Sequence, residues 1–158
     1  MASPSVLTIV SGGQTGADRA ALDFAIRTGL PHDGWCPLGR LAEDGPLPAR
    51  YRLRETESRR YAERTERNVR ECDATVVFAL RRELSGGTRL TAELAEREGK
   101  PLLVLTADEC GPLEAAVLLR QFLSQQAIAR LNVAGPRASQ EPAIGAYVDA
   151  VLAAALAP

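Results

Sequence analysis

The sequence predicts an α/β protein: one doubly wound, Rossmann-like parallel sheet of about five strands, helices on both faces, over residues 1–158. Three observations predict it. Short apolar runs alternate with amphipathic helical segments, the pattern of a parallel sheet covered on both sides. No repeat, linker or low-complexity block interrupts that alternation. And 158 residues, 46% hydrophobic and 25% charged, suit one ordinary domain able to bury a core.

Residues 6–10 (VLTIV) read as the first strand, and Ser11-Gly12-Gly13-Gln14 as the loop after it. Residues 15–28 read as a helix, with Ala17, Ala20, Ala21, Phe24, Ala25 and Thr28 at helical spacing. Gly29 then sits where a C-cap belongs, with Pro31 beyond it. Gly34-Trp35-Cys36 reads as a short second strand. Residues 38–56 carry Gly39, Gly45, Pro46 and Pro48 without periodicity, and a loop of that length is functional or disordered. Residues 57–70 form a polar helix and residues 74–80 (ATVVFAL) the clearest central strand. Ser85-Gly86-Gly87-Thr88 is a second glycine-rich turn, followed by a helix over 89–98. Strands over 102–105 and 128–133 and helices over 111–126 and 142–156 complete the pattern.

Composition excludes several function classes. The formal net charge is −1, so no bulk attraction to nucleic acid or an anionic membrane is expected. The apolar stretch 151–158 is too short to span a bilayer. Residues 1–10 lack a secretory pattern, and the three cysteines, Cys36, Cys72 and Cys110, have no CxxC spacing; both suit a reducing cytoplasm. His32 is the only histidine, which excludes a multi-histidine metal site within one chain.

The two Ser-Gly-Gly turns share one design: apolar strand, glycines, helix start. Glycine admits close backbone approach, and a helix N-terminus offers free N–H groups and a favourable dipole to an anion. Both turns fall at the carboxyl ends of strands, where open parallel sheets bind ligands. Phosphate is the expected anion, with the two strands as candidate neighbours across the switch point. Gly12, Gly13, Gln14, Thr15, Ser85, Gly86, Gly87 and Thr88 are the candidate binding residues. Neither turn has the Gly-Lys-Ser/Thr ending of a Walker A loop, and neither fits GxGxxG.

Around them stand polar residues. Thr15 and Asp18 match a Thr-x-x-Asp capping box, so Asp18 either caps the helix or meets a ligand hydroxyl, a metal or Arg19. Arg19 or Arg40 would neutralise phosphate, although Arg19 also stands at i,i+4 from Asp23. Glu43 and Asp44 suit Mg²⁺ or sugar hydroxyls. Tyr61, Arg64, Thr65 and Asn68 make one polar helix face, directed at a site or at a subunit interface. Glu93 stands at i,i+4 from Arg89 and Arg97. Cys36 is either a thiol near the site or an inert buried one.

Ser11–Arg19 (SGGQTGADR), Gly34-Trp-Cys-Pro37, Gly39-Arg40 with Ala42-Glu-Asp-Gly45, Tyr51 with Glu55-Thr56, Arg64-Thr65 with Asn68-Val69, and Ser85-Gly-Gly-Thr88 resemble the family known as "putative molybdenum carrier". The resemblance runs from about residue 6 to about residue 105. It places the chain in a lysine-decarboxylase-like superfamily of Rossmann-like fold. That superfamily holds molybdenum-cofactor carriers, nucleotide sensors and cytokinin-releasing phosphoribohydrolases. It implies a phosphate-bearing ligand (molybdenum cofactor or a nucleotide) and homodimers or homotetramers. The phosphoribohydrolases carry PGGxGTxxE where this chain has Ser85-Gly-Gly-Thr-Arg-Leu-Thr-Ala-Glu93. A carrier or sensor is therefore expected ahead of a nucleotide N-glycosidase. For that second reading Asp18, Glu43, Asp44 and Glu93 are the candidate acids. A protein-interaction module is the third reading.

Overall fold

The computed structural model describes residues 6–157; residues 1–5 of the N-terminal segment and Pro158 of the apolar stretch lie outside it. The main sheet contains β1 (Thr8–Val10), β2 (His32–Asp33), β5 (Ala74–Ala79), β6 (Leu102–Thr106) and β7 (Arg130–Ala134). Its order is β2-β1-β7-β5-β6, and every pairing is parallel. The Rossmann-like five-stranded α/β architecture is therefore as the sequence predicts. The strands also follow the period-two rule: Val76, Phe78, Leu131, Val133 and Ile9 all enter one cluster.

That cluster lies under helices α1 (Ala17–Thr28), α4 (Pro112–Gln125) and α5 (Ile144–Leu156). It is filled by Ala21, Phe24, Leu119, Val148 and Val151, all fully buried. Phe78 and Tyr147 meet edge to face at 6.0 Å. Helices α2 (Tyr61–Glu71) and α3 (Gly86–Arg97) form the other layer, around Val69, Leu94 and Ala95. Gly29 ends α1 in the left-handed conformation, its N–H reaching back to Ile26, as its spacing predicts. Among the described residues no helix is long and apolar enough to cross a membrane.

Three details differ from the sequence reading. The second strand of the sheet is His32–Asp33, not residues 34–36. Trp35–Cys36 (β3) turns away and pairs with Arg54–Glu55 (β4) in a separate two-stranded ribbon. Gly34, at φ +146° with its α-carbon against Ser11 O, makes that departure. Next, β1 and β5 are not neighbours: β7 lies between them. Last, Gly86, Gly87 and Thr88 are the first turn of α3 rather than a turn before it.

Residues 38–56, read as a functional or disordered loop, are ordered. They fold around a second core of Leu22, Cys36, Ala42, Leu47, Tyr51 and Leu53. Arg40 organises it. Its guanidinium donates to the carbonyl oxygens of Leu47, Leu53, Pro48 and Tyr51, at 3.1, 3.3, 3.0 and 2.6 Å. Segments without regular structure must satisfy backbone carbonyls somehow, and here one forked side chain reaches four, of which Leu47 and Leu53 have no backbone donor in the loop. Tyr51 donates to Asp23 on α1 at 2.5 Å, tying the loop to the main layer.

Arg40→Ala takes a donor from four carbonyls, of which Pro48 and Tyr51 keep a backbone N–H, and is expected to cost about 2–3 kcal/mol in urea unfolding. Arg40→Lys should recover little of it, because one ammonium cannot span the four acceptors.

Candidate functional site

All five strands of the main sheet are parallel, so their carboxyl ends share one edge. Three loops meet there: 11–16 after β1, 135–143 after β7 and 80–85 after β5. With the starts of α2 and α3 they enclose a groove. Its narrow end, about 170 Å³, is lined by Gln14, Asp18, Tyr61, Arg64, Thr65, Gly86, Gly87, Thr88, Gly135, Pro136, Arg137 and Gln140. A wider depression of about 330 Å³ continues from it, sharing Thr88, Pro136 and Gln140.

The narrow end holds two buried donors without partners, Gln14 Nε2 and Arg64 Nε. Gln14 is 5% exposed. Its Oε1 accepts from the backbone N–H of Thr15 at 3.0 Å and of Glu43 at 2.9 Å. Those two donors fix which way the amide faces, so the NH₂ end is the one left over. Arg64 crosses from α2 and donates through Nη1 to Asp18 Oδ2 at 3.3 Å. It can cross only because residue 12 is glycine: a β-carbon there would stand 1.9 Å from Nη1. Asp18 is 3% exposed and also accepts from Gln14 N at 3.3 Å. Burial pushes its carboxyl above the ordinary carboxylate range, while Arg64 foremost, then the Gln14 N–H, Arg19 and Arg137, pull it back.

The guanidinium groups of Arg64 and Arg137 both lie over the Tyr61 ring, at 5.6 and 5.5 Å from its centre. Among the described residues Arg137 makes no ion pair.

The opposite wall is the start of α3. Its first bond from a backbone N–H to Ser85 comes from Arg89, at 3.3 Å. The N–H groups of Gly86, Gly87 and Thr88 precede it, and the Ser85 side chain does not cap them. Gly87 has no positive φ, and a β-carbon on it would touch nothing within 4 Å. Neither backbone conformation nor protein packing explains that glycine; it leaves open space in the groove.

The first glycine turn behaves differently. Gly13 N donates to Ser11 Oγ, Gln14 N to Asp18, Thr15 N to Gln14 Oε1 and Ala17 N to Pro136 O. These N–H groups are consumed within the protein. Gly13, Gln14 and Thr15 therefore present side chains or packing to the site, not a nest of amides. The Thr-x-x-Asp spacing is half of a capping box: Asp18 reaches back to Gln14, and Gly16, not Thr15, is the N-cap.

Other expected site residues are occupied by the protein. Arg19 forks onto Asp44 at 2.9 and 3.0 Å and donates to Gly13 O, rather than pairing with Asp23. Arg40 holds the 38–56 loop, as described. Glu43 accepts from Thr15 Oγ1 and from Ser139 N and Oγ, which draws its carboxyl below the usual range. Asp44 is lowered mainly by its bond from Arg19. Glu93 pairs with Arg89 at 2.9 Å on the exposed face of α3. Of the four candidate acids, Asp18 alone lines the groove. Asn68 clamps Trp35 through both its backbone N–H and C=O. Ser85 lines the wider depression.

The profile of one protein family, "Circularly permutated YpsA SLOG family", matches residues 9–156. The chain belongs to this family. Among solved structures, this cpYpsA-family chain matches one described as "Putative molybdenum carrier protein" from Syntrophus aciditrophicus SB. The two are 44% identical with a TM-score of 0.95, over 98% of this chain and 97% of that one. No curated protein matches.

In this cpYpsA-family chain the loop 135–143 was invisible to motif reading, yet it supplies the middle of the groove. The available signal was Gly135-Pro136 directly after an apolar strand. Gly135 is required by close approach: a β-carbon would meet Phe78 O and the Ala17 side chain at 2.6 Å. Tyr61, Arg64 and Thr65 face the groove as their helical spacing predicts.

Cys36 does not reach the groove; it is fully buried in the second core, and burial raises its thiol. Burial pushes Cys72 up to about 12. A thiol reagent at pH 8 should therefore label none of the three cysteines of the folded protein quickly, and all three after denaturation. Fast native labelling of Cys36 would place it in an accessible site after all.

Proposed function

We propose that the chain binds a phosphate-bearing small molecule in this groove, as a carrier or sensor. A nucleotide or molybdenum cofactor is the ligand class. One observation carries the reading: two buried donors without partners, Gln14 Nε2 and Arg64 Nε, belong to side chains that line the same recess as the uncapped first turn of α3. Buried donors in folded proteins are nearly always paired, so two unpaired ones in the lining of one recess point to an acceptor from outside the protein. A phosphate dianion accepts from amide, guanidinium and helix N-terminal N–H groups together. Arg137 adds charge from the β7 side. The anion site is therefore built from Gln14, Arg64, Arg137, Gly86, Gly87 and Thr88, with Arg19 and Arg40 holding the scaffold. SLOG-family membership and the resemblance to a protein described as a molybdenum carrier support the ligand class. The buried thiols fit a reducing cytoplasm.

Gly87→Val tests this site. The added β-carbon meets nothing within 4 Å, so Tm should hold within about 2 °C, while the side chain fills the space a phosphate needs. Binding of inorganic phosphate and nucleoside monophosphates, read by calorimetry, should fall by about tenfold or more. Unchanged binding in a folded Gly87→Val protein would reject the site.

Asp18 favours a second reading, an N-glycosidase acting on nucleotides, because it is a buried carboxyl with a raised titration range inside the groove. One variant separates the two. Asp18→Asn still accepts from Gln14 N but removes the charge beside the ligand; it also loses the ion pair with Arg64, so both readouts are taken on variant protein shown to be folded. A binding protein should gain phosphate affinity, by about threefold to tenfold. A hydrolase should lose release of free base from nucleoside monophosphates.

A further inference from the structure

The wider depression beside the anion recess has its own chemistry. Leu80, Leu84 and Pro136 give it apolar walls, and Glu141, Glu83 and Arg81 are its charged lining residues. Neither carboxylate makes an ion pair among the described residues. The two differ in support. Glu83 lies on the exposed 80–85 loop. Glu141 is half-buried, and its backbone is held on both sides: Glu141 N donates to Arg137 O and Ile144 N to Glu141 O, both at 3.1 Å. The turn that fixes Glu141 is thus the one that presents Arg137 to the anion.

We infer that this depression seats a flat heterocycle whose edge carries adjacent amino and ring N–H donors, and that Glu141 reads that edge. This rests on the anion reading above. A carboxylate accepts only, and its two oxygens match two parallel N–H donors. The 2-amino-4-oxo-pyrimidine edge, shared by guanine and pterins, has that pair. Adenine offers one amino group beside a ring acceptor, and uracil one N–H between carbonyls, so each sets a lone pair against the carboxylate. The apolar walls take the ring faces, and the shared residues Thr88, Pro136 and Gln140 let one molecule run from ring to phosphate. The combined space, about 330 and 170 Å³, is that of a small-ligand site.

The test is calorimetry on the full chain with inorganic phosphate, GMP, AMP, UMP and a pterin carrying a phosphate monoester. GMP, the pterin phosphate or both should bind roughly tenfold or more tighter than AMP and UMP. Which of the two binds tighter tells a nucleotide source from a pterin source. Glu141→Gln replaces an acceptor with a donor; it should reduce the preference to about threefold or less while leaving phosphate affinity within about twofold. Glu83→Gln, on the exposed 80–85 loop, should keep the preference. Equal binding of all the nucleotides, or a preference that survives Glu141→Gln in a folded protein, overturns the inference and leaves the anion site standing. If no phosphate-bearing probe binds the wild-type chain, the anion reading fails and this inference falls with it.

Discussion

The site depends on one buried ion pair. Arg64 comes from α2 and Asp18 from α1, and they meet at 3.3 Å with side chains 13% and 4% exposed. Each charge is costly to bury alone, and removing one partner of such a pair costs about 3–5 kcal/mol. The pair therefore fixes where α2 sits against the β1 loop. Much of the local sequence serves it: Gly12 clears the path of the guanidinium, and the Gln14 N–H takes the other approach to Asp18 Oδ2. Yet Arg64 Nε and Gln14 Nε2, buried on side chains that line the groove, have no acceptor in the protein. A junction made only for stability would have closed those bonds.

Two glycine turns with the same letters do different work. In the first, Ser11 Oγ, Asp18, Gln14 Oε1 and Pro136 O take up the N–H groups of Gly13, Gln14, Thr15 and Ala17. Its glycines answer to packing: Gly12 admits Arg64, and Gly13 admits Leu47 and Leu53. In the second, Gly87 answers to no neighbour in the protein. Sequence pattern identified both as strand-to-helix turns; only the surrounding side chains decide which N–H groups are taken up within the protein.

The legible parts of the chain were those with local periodicity. The 74–79 strand is buried at every position, and α1 combines helical spacing with a glycine C-cap, so both follow from short-range rules. The face of Tyr61, Arg64 and Thr65 was readable for the same reason. Residues 38–56 were not, because their order comes from Arg40 bonding carbonyls up to 13 positions away and from a core without period. The roles of Arg19, Glu43 and Asp44 were equally hidden. Each looked like a solvent-facing or ligand-facing charge, but its partner lies 25 to 96 residues distant. The β2–β3 boundary failed on a smaller scale: strands of two residues carry too few side chains to show alternation.

The placement of β7 between β1 and β5 has a consequence for how the molecule is made. The strand at the centre of the sheet follows β1, β2, β5 and β6 in the chain, so it is the last of them to leave the ribosome. Until it inserts, β1 and β5 share no neighbour, and loop 135–143, the middle wall of the groove, does not exist. The pairings that complete the sheet, Thr8 with Arg130 and Ile9 with Leu131, span more than 120 residues, the kind of long-range closure that folds late. The groove is thus complete only once β7 and the loop after it have joined the sheet.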